Sequence, residues 1–287
     1  MVDKDIGYGQ DYKFIPATSV ASGMMQEIAE GVLFQTIQIV NIGLITNREQ
    51  SKWMLIDAGM PGSADDILET CERILGPKSK PEGIILTHGH FDHVGALIEL
   101  LKEWEVPVYV HPDELPFVTG ELSYPEPDPS VEGGLIAKIS PMFPNEPVNI
   151  GNYARAIPSD GSVPELAEWR WIHTPGHTPG HISLFRERDR VLVAGDAFVT
   201  VKQDSLYKVL TQKQEINGPP RYFTIDWEQA WNSVKKLASL NPDIALTGHG
   251  LPVSGDKLSA GLDKLAQEFD KLAIPDFGRY IDEKPYS

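Results

Sequence analysis

Gly83-Ile84-Ile85-Leu86-Thr87-His88-Gly89-His90-Phe91-Asp92-His93 runs from a short apolar strand signal straight into four metal-capable side chains. Imidazole and carboxylate suit zinc, iron or manganese, and the cluster contains no thiolate. The order His-x-His-x-Asp-His crowds four candidate ligands into six residues, too many so close together for one closed tetrahedral site. It points to ligands shared between two neighbouring ions, an arrangement that activates water for hydrolysis. Alternate residues of an extended segment point the same way, so His88 and His90 can reach one ion together. Asp92 and His93 fall at the turn into the next helix and can aim at the neighbouring position.

Working outward, β-rich runs at Val32–Val40 and Ile42–Ile45 precede an apolar strand, Trp53–Ile56, that ends at Asp57-Ala58-Gly59. Ala64–Leu75 has helical spacing with Ser63 as N-cap, Val94–Trp104 is a second helix, and Val106–Val110 a further strand. Strands alternating with helices predict an α/β fold. Residues 111–147 hold eight prolines, at 112, 116, 125, 127, 129, 141, 144 and 147. That density predicts an irregular excursion, read here as a lid or binding loop because it lies between two metal motifs. Ala197–Phe223 is read as a second irregular segment. Helices are expected over Trp227–Leu240 and about Asp256–Leu272. The division expected is an N-terminal extension, 1–30, followed by one domain, 31–287.

The remaining candidate ligands each lie just past an apolar strand. His177 follows Trp169–Ile172, Asp196 follows Val191–Ala194, and His249 follows Ile244–Leu246. Sites form where strand ends converge in α/β sheets, so these residues can meet. Taken in order, the motif at 88–93, His177 in Thr-Pro-Gly-His, Asp196 in Gly-Asp and His249 in Thr-Gly-His closely resemble the metallo-β-lactamase superfamily, from about Glu30 to Pro252. The resemblance implies a four-layer αββα sandwich. It implies that His88, His90 and His177 bind a first divalent ion, that Asp92, His93 and His249 bind a second, and that Asp196 bridges both. Zinc is the expected metal, with iron or manganese as alternatives. Asp57 matches a family aspartate beneath the metals that orients ligands, and His181 a histidine that supports the site without ligating.

The chemistry implied is attack by a bridging hydroxide on an ester, lactone or thioester, with Asp92 and Asp196 as catalytic carboxylates. The His173–His181 run is similar to that of glyoxalase II-type thioesterases and, more closely, to that of acyl-homoserine-lactone lactonases. Pro219-Pro220-Arg221-Tyr222-Phe223-Thr224-x-Asp226-Trp227 resembles a bacterial group of single-domain, YflN-like hydrolases. The alternatives are a mononuclear iron oxidoreductase of the persulfide dioxygenase type on the same scaffold, and a phosphodiesterase. Phe198, Tyr207, Tyr222 and Phe223 are candidate walls of the substrate cleft.

Composition narrows the field. Forty-one acidic against 25 basic residues give a formal charge of −16, which argues against nucleic acid or an anionic membrane as partner. A small-molecule substrate is expected, and a homodimer stays open. Apolar content of 41% and a mean hydropathy of −0.22 fit a folded chain. A single cysteine, Cys71, excludes an intrachain disulfide and reads as a helix-packing residue. The first residues lack the basic and apolar regions of a signal peptide, so a cytoplasmic location is expected.

Overall fold

A computed structural model describes residues 6–13, 15–132, 134–203 and 206–282. Part of the expected extension (1–5 and 14) therefore lies outside the described residues, as do 133, 204 and 205 in the two segments expected to be irregular and 283–287 of the expected domain.

Seven strands form the first sheet in chain order: β1 (Met25–Ala29), β2 (Val32–Ile37), β3 (Val40–Thr46), β4 (Trp53–Ile56), β5 (Gly83–Ile85), β6 (Val108–Val110) and β7 (Ala154–Ala156). β1 to β4 pair antiparallel, and β4 to β7 pair parallel. The second sheet begins with β8 (Trp169–His173), β9 (Ile182–Arg186) and β10 (Val191–Gly195). A two-stranded ribbon follows, β11 (Val199–Val201) with β12 (Gln214–Asn217). The chain then returns to the second sheet as β13 (Ile244–Thr247), parallel to β10, and β14 (Val253–Ser254).

The layering follows from the two-residue period of the strands. In β4, Met54 and Ile56 pack between the sheets, while Trp53 and Leu55 face the helices. In β10, Val191 and Val193 face the first sheet, while Leu192 and Ala194 face the opposite helices. Three apolar cores result. One lies between the sheets. A second lies under α1 (Ala64–Leu75), α2 (Phe91–Val94) and α3 (Leu97–Trp104). The third lies under helices that appear later in the chain. This is the expected αββα sandwich.

Local departures have local causes. The run Val32–Val40 turns at Gln38, whose φ of 57° breaks it into a hairpin. The division at residue 30 falls between β1 and β2, which are paired strands of one sheet. Ser63 occupies the N-cap of α1, yet its hydroxyl donates to the Met60 carbonyl and caps nothing. The helix expected over Val94–Trp104 starts only at Leu97. The Gly95 and Ala96 N–H groups are already donated to Gly59 and Ala58 carbonyls. Gly95 is required there, because a Cβ would lie 2.2 Å from the Pro61 nitrogen.

Neither expected irregular segment is irregular throughout. Within 111–147, α4 (Leu115–Val118) and α5 (Gly134–Ile139) form, and Val118, Val131, Ile136 and Ala137 join the core beneath the first sheet. Apolar side chains anchor this excursion, expected as a lid or binding loop, to the body of the fold despite its prolines. In Ala197–Phe223 the ribbon β11–β12 and α6 (Leu206–Thr211) are formed. The last core is covered by α7 (Trp227–Ser239) and α8 (Gly255–Gln267). Asp226 caps α7, its side chain accepting from the Gln229 N–H at 2.9 Å. No helix among the described residues is long and apolar enough to cross a membrane.

Candidate metal centre

All seven expected ligands converge in one buried cluster at the strand ends, each between 0 and 6% exposed. Donor atoms of His88, His90 and His177 approach within 4.8 Å of one another, as do those of Asp92, His93 and His249. A third grouping, His88 with His93 and Asp196, links the two. The Asp196 carboxylate lies centrally. Its Oδ2 is 3.3 Å from His249 Nε2 and 3.6 Å from His177 Nε2, and its Oδ1 is 3.7 Å from His93 Nε2. Asp92 Oδ2 stands 3.2 Å from His249 Nε2.

Hydrogen bonds behind the rings decide which nitrogen faces the centre. His93 Nδ1–H donates to Asp57 Oδ2 at 2.8 Å. His249 Nδ1–H donates to the Ile39 carbonyl at 3.0 Å. Thr224 gives its hydroxyl hydrogen to the Pro220 carbonyl, and so accepts from His177 Nδ1–H at 3.2 Å. Thr87 gives its hydrogen to Asp57 and accepts from His88 Nδ1–H at 3.1 Å. In all four histidines Nε2 is left to point inward. His90 alone is reversed, with Nδ1 inward, 3.0 Å from His177 Nε2.

The donor set fits divalent cations. Nε2 of His88, Nε2 of His93 and Oδ1 of Asp196 are buried without a hydrogen-bond partner. A buried polar atom left unpaired is destabilising by about 1–3 kcal/mol, so three at one point call for a cation. Space is also withheld from the backbone nearby. A Cβ on Gly248 would lie 2.1 Å from Asp196 Oδ1 and 2.7 Å from His93 Cε1.

The two halves differ electrically. Burial, with the neighbouring imidazoles, pushes His88 and His177 well below the usual histidine range and His90 to about 3. These three are neutral imidazoles, ready to ligate. Burial opposes protonation of His93 and His249 too, but carboxylates prevail. Asp57, Asp196 and Asp92 raise His93 well above its ordinary value, and Asp196 with Asp92 raises His249 to about 10. Against its own burial, Asp196 is held well below the carboxylate range by His249 and His93. A cation entering this half displaces the protons that these carboxylates favour on His93 and His249.

Asp57 and His181, expected to support the site, lie directly behind the ligands. Asp57, at φ 60°, accepts from the Thr87 N–H at 2.7 Å and the Thr87 hydroxyl at 2.8 Å besides His93. His181 Nε2 accepts the Asp196 N–H at 2.9 Å, which places the hydrogen on Nδ1, facing Thr174. Asp57→Asn keeps a residue that tolerates positive φ but turns an amide toward groups that donate. We expect metal affinity to fall about 10- to 100-fold with little change of fold. Competition with a chelator measures it, and unchanged affinity would deny Asp57 this role.

The expected cleft walls divide. Phe198 is fully buried in the core beneath α7 and α8, so it is a packing residue. Tyr207 is 72% exposed on α6 and has no ring contact with the cluster among the described residues. Tyr222 is buried one layer back, against Phe143 and Phe223. Phe223 does reach the centre, stacking on His90 at 4.6 Å. Cys71 is buried in α1, and burial pushes its thiol up to about 12.

Several contributors were not singled out from sequence. Thr224 lies inside the quoted Pro219–Trp227 motif and could have been found there. Glu114 and Tyr124 sit in the proline-rich segment, where nothing in the pattern marks them. A separate trio, His111, Asp113 and His173, also lies close together. Its two rings stack in parallel, 4.1 Å apart and 10° from coplanar, so their lone pairs do not converge. His111 Nδ1 and His173 Nε2 are spent on the Asp113 N–H and the Pro179 carbonyl. Both histidines serve local structure.

A family model described as the Metallo-beta-lactamase superfamily matches residues 36–249. The chain is 52% identical over 250 residues to the Probable metallo-hydrolase YflN of Bacillus subtilis (strain 168), covering 87% of this chain and 95% of the relative. It is 27% identical to the Hydroxyacylglutathione hydrolase GloC of Haemophilus influenzae over 73% of this chain and 85% of that one. The crystal structure of TTHA1623 in a di-iron-bound form superposes with a TM-score of 0.52 at 26% identity, covering 79% of this chain and 92% of that one.

Proposed function

The chain belongs to the metallo-beta-lactamase superfamily, and on that premise we propose that it is a dinuclear hydrolase of carboxylic ester, lactone or thioester bonds in small molecules. The observation that carries this reading is the pairing of two complete ligand triads through Asp196. A mononuclear iron oxidoreductase would have no use for Asp92, His93 and His249 as a second intact triad. The likeness to a hydroxyacylglutathione hydrolase supports an acyl substrate. Zinc suits this set of imidazoles and carboxylates, and a relative that binds two irons makes iron the alternative.

When bound, the ions would supply Lewis acidity and a water nucleophile of lowered pKa at neutral pH. His88, His90 and His177 would hold the first ion. Asp92, His93 and His249 would hold the second, with Asp196 shared. Asp92, beside His249, would orient the attacking water and pass its proton to the leaving alkoxide or thiolate. Asp57 and Thr224 keep His93 and His177 turned inward during turnover. Phe223, against His90, presents an apolar face that excludes water from one side of the centre.

The test is a panel of lactones, glutathione thioesters, simple esters and phosphodiesters, run on protein of measured metal content. Turnover of at least one acyl class with two ions per chain is expected. Two bound ions with no acyl turnover would sink the substrate assignment. One iron per chain with persulfide-dependent oxygen uptake would replace it with the oxidoreductase.

A further inference from the structure

We propose that Glu114 is a positioning residue whose buried carboxylate clamps the loop carrying His90 to the loop carrying His177, setting both histidines toward one ion before it arrives. The inference rests on the reading of this cluster as a metal centre. Glu114 is 1% exposed. One carboxylate oxygen serves each loop. Oε2 accepts from the Gly89 N–H at 3.1 Å, between His88 and His90, and from the Tyr124 hydroxyl. Oε1 accepts from the Thr178 hydroxyl at 2.7 Å and the Gly180 N–H at 2.9 Å, directly after His177. Tyr124 also accepts from the Gly89 N–H at 2.9 Å, and its ring packs against His90 at 4.6 Å.

All four partners donate to Glu114, so the position calls for two acceptor oxygens. Glutamine supplies one, and turns its NH₂ toward donors on the other loop. Both loops are shaped for the approach. A Cβ on Gly180 would lie 2.7 Å from Glu114 Cγ, and one on Gly89 would lie 2.7 Å from the Tyr124 hydroxyl. An outer tie joins the segment of Glu114 to the loop of His177. His111, three residues before Glu114, stacks on His173, whose Nε2–H donates to the Pro179 carbonyl. The clamp touches the chain beside His88, His90 and His177, so its effect is expected to be larger at the first ion, whereas Asp57 bonds His93 directly.

The test uses full-length chains carrying His249→Ala, so that only the first triad is complete, with Glu114→Gln or Tyr124→Phe added. Each is titrated with Co²⁺ and followed by visible d–d absorption, with thermal melts before and after loading. Glu114→Gln is expected to weaken Co²⁺ binding about 10- to 100-fold while the metal-free melt stays near that of the parent. Tyr124→Phe, which removes one of four donors, is expected to weaken it less than about 10-fold. Affinity and spectrum equal to the parent in folded Glu114→Gln would overturn the clamp. If Glu114→Gln does not fold, the same result in Tyr124→Phe overturns it. A wild-type chain that takes up no Co²⁺ would instead overturn the metal-centre reading, and the clamp with it.

Discussion

Stripping the ions with a chelator is expected to abolish hydrolysis and to lower the melting temperature by on the order of 10 °C. A ligand that binds only the folded chain stabilises it by about 4 kcal/mol when present at roughly 1,000 times its Kd. In domains of comparable size, about 1 kcal/mol moves the melting temperature by roughly 2–4 °C. The seven ligands are all buried, and they come from strand ends far apart in sequence, so an unfolded chain cannot offer them together. Without ions, Nε2 of His88, Nε2 of His93 and Oδ1 of Asp196 stay buried without a hydrogen-bond partner. Differential scanning calorimetry beside an activity assay measures both effects, and adding back Zn²⁺ or Fe²⁺ should restore them. Full activity after verified removal of metal would refute the assignment of the site.

Asp196→Asn is expected to lower the metal content from two ions toward one and to slow turnover by about 10²- to 10³-fold. The substitution keeps the shape of the side chain and the bond from the Asp196 N–H to His181. It removes the negative charge that sits within 3.3–3.7 Å of His249, His177 and His93, which span both triads. Losing one preorganised electrostatic group at a reacting centre is worth about that factor. Elemental analysis and steady-state kinetics on the same preparation test it. Two ions and an unchanged kcat in the variant would show that Asp196 does not join the halves.

All seven candidate ligands were legible in the sequence, for a physical reason. Metal chemistry admits few residue types, and strand ends are readable from apolar runs, so His177, Asp196 and His249 stood out beside the motif at 88–93. The Pro219–Trp227 stretch pointed to YflN-like hydrolases, and a YflN relative at 52% identity agrees. Cleft walls were far less legible. Phe198 and Tyr207 are both aromatic and both follow Asp196, yet one fills a core and the other meets solvent. An aromatic residue carries no mark in sequence of which layer it enters.

The sequence by itself determined the alternating strand faces that build two sheets, the ligand types, and the order in which strand ends deliver them. Tertiary structure alone decided which nitrogen each histidine turns inward, because that depends on acceptors remote in the chain, such as Ile39 for His249 and Thr224 for His177. It also decided that a proline-rich excursion sends Glu114 between two ligand loops. A hydrogen-bond partner 64 or 66 residues away leaves no periodicity to read, since its position is fixed by how the layers stack and not by any local pattern.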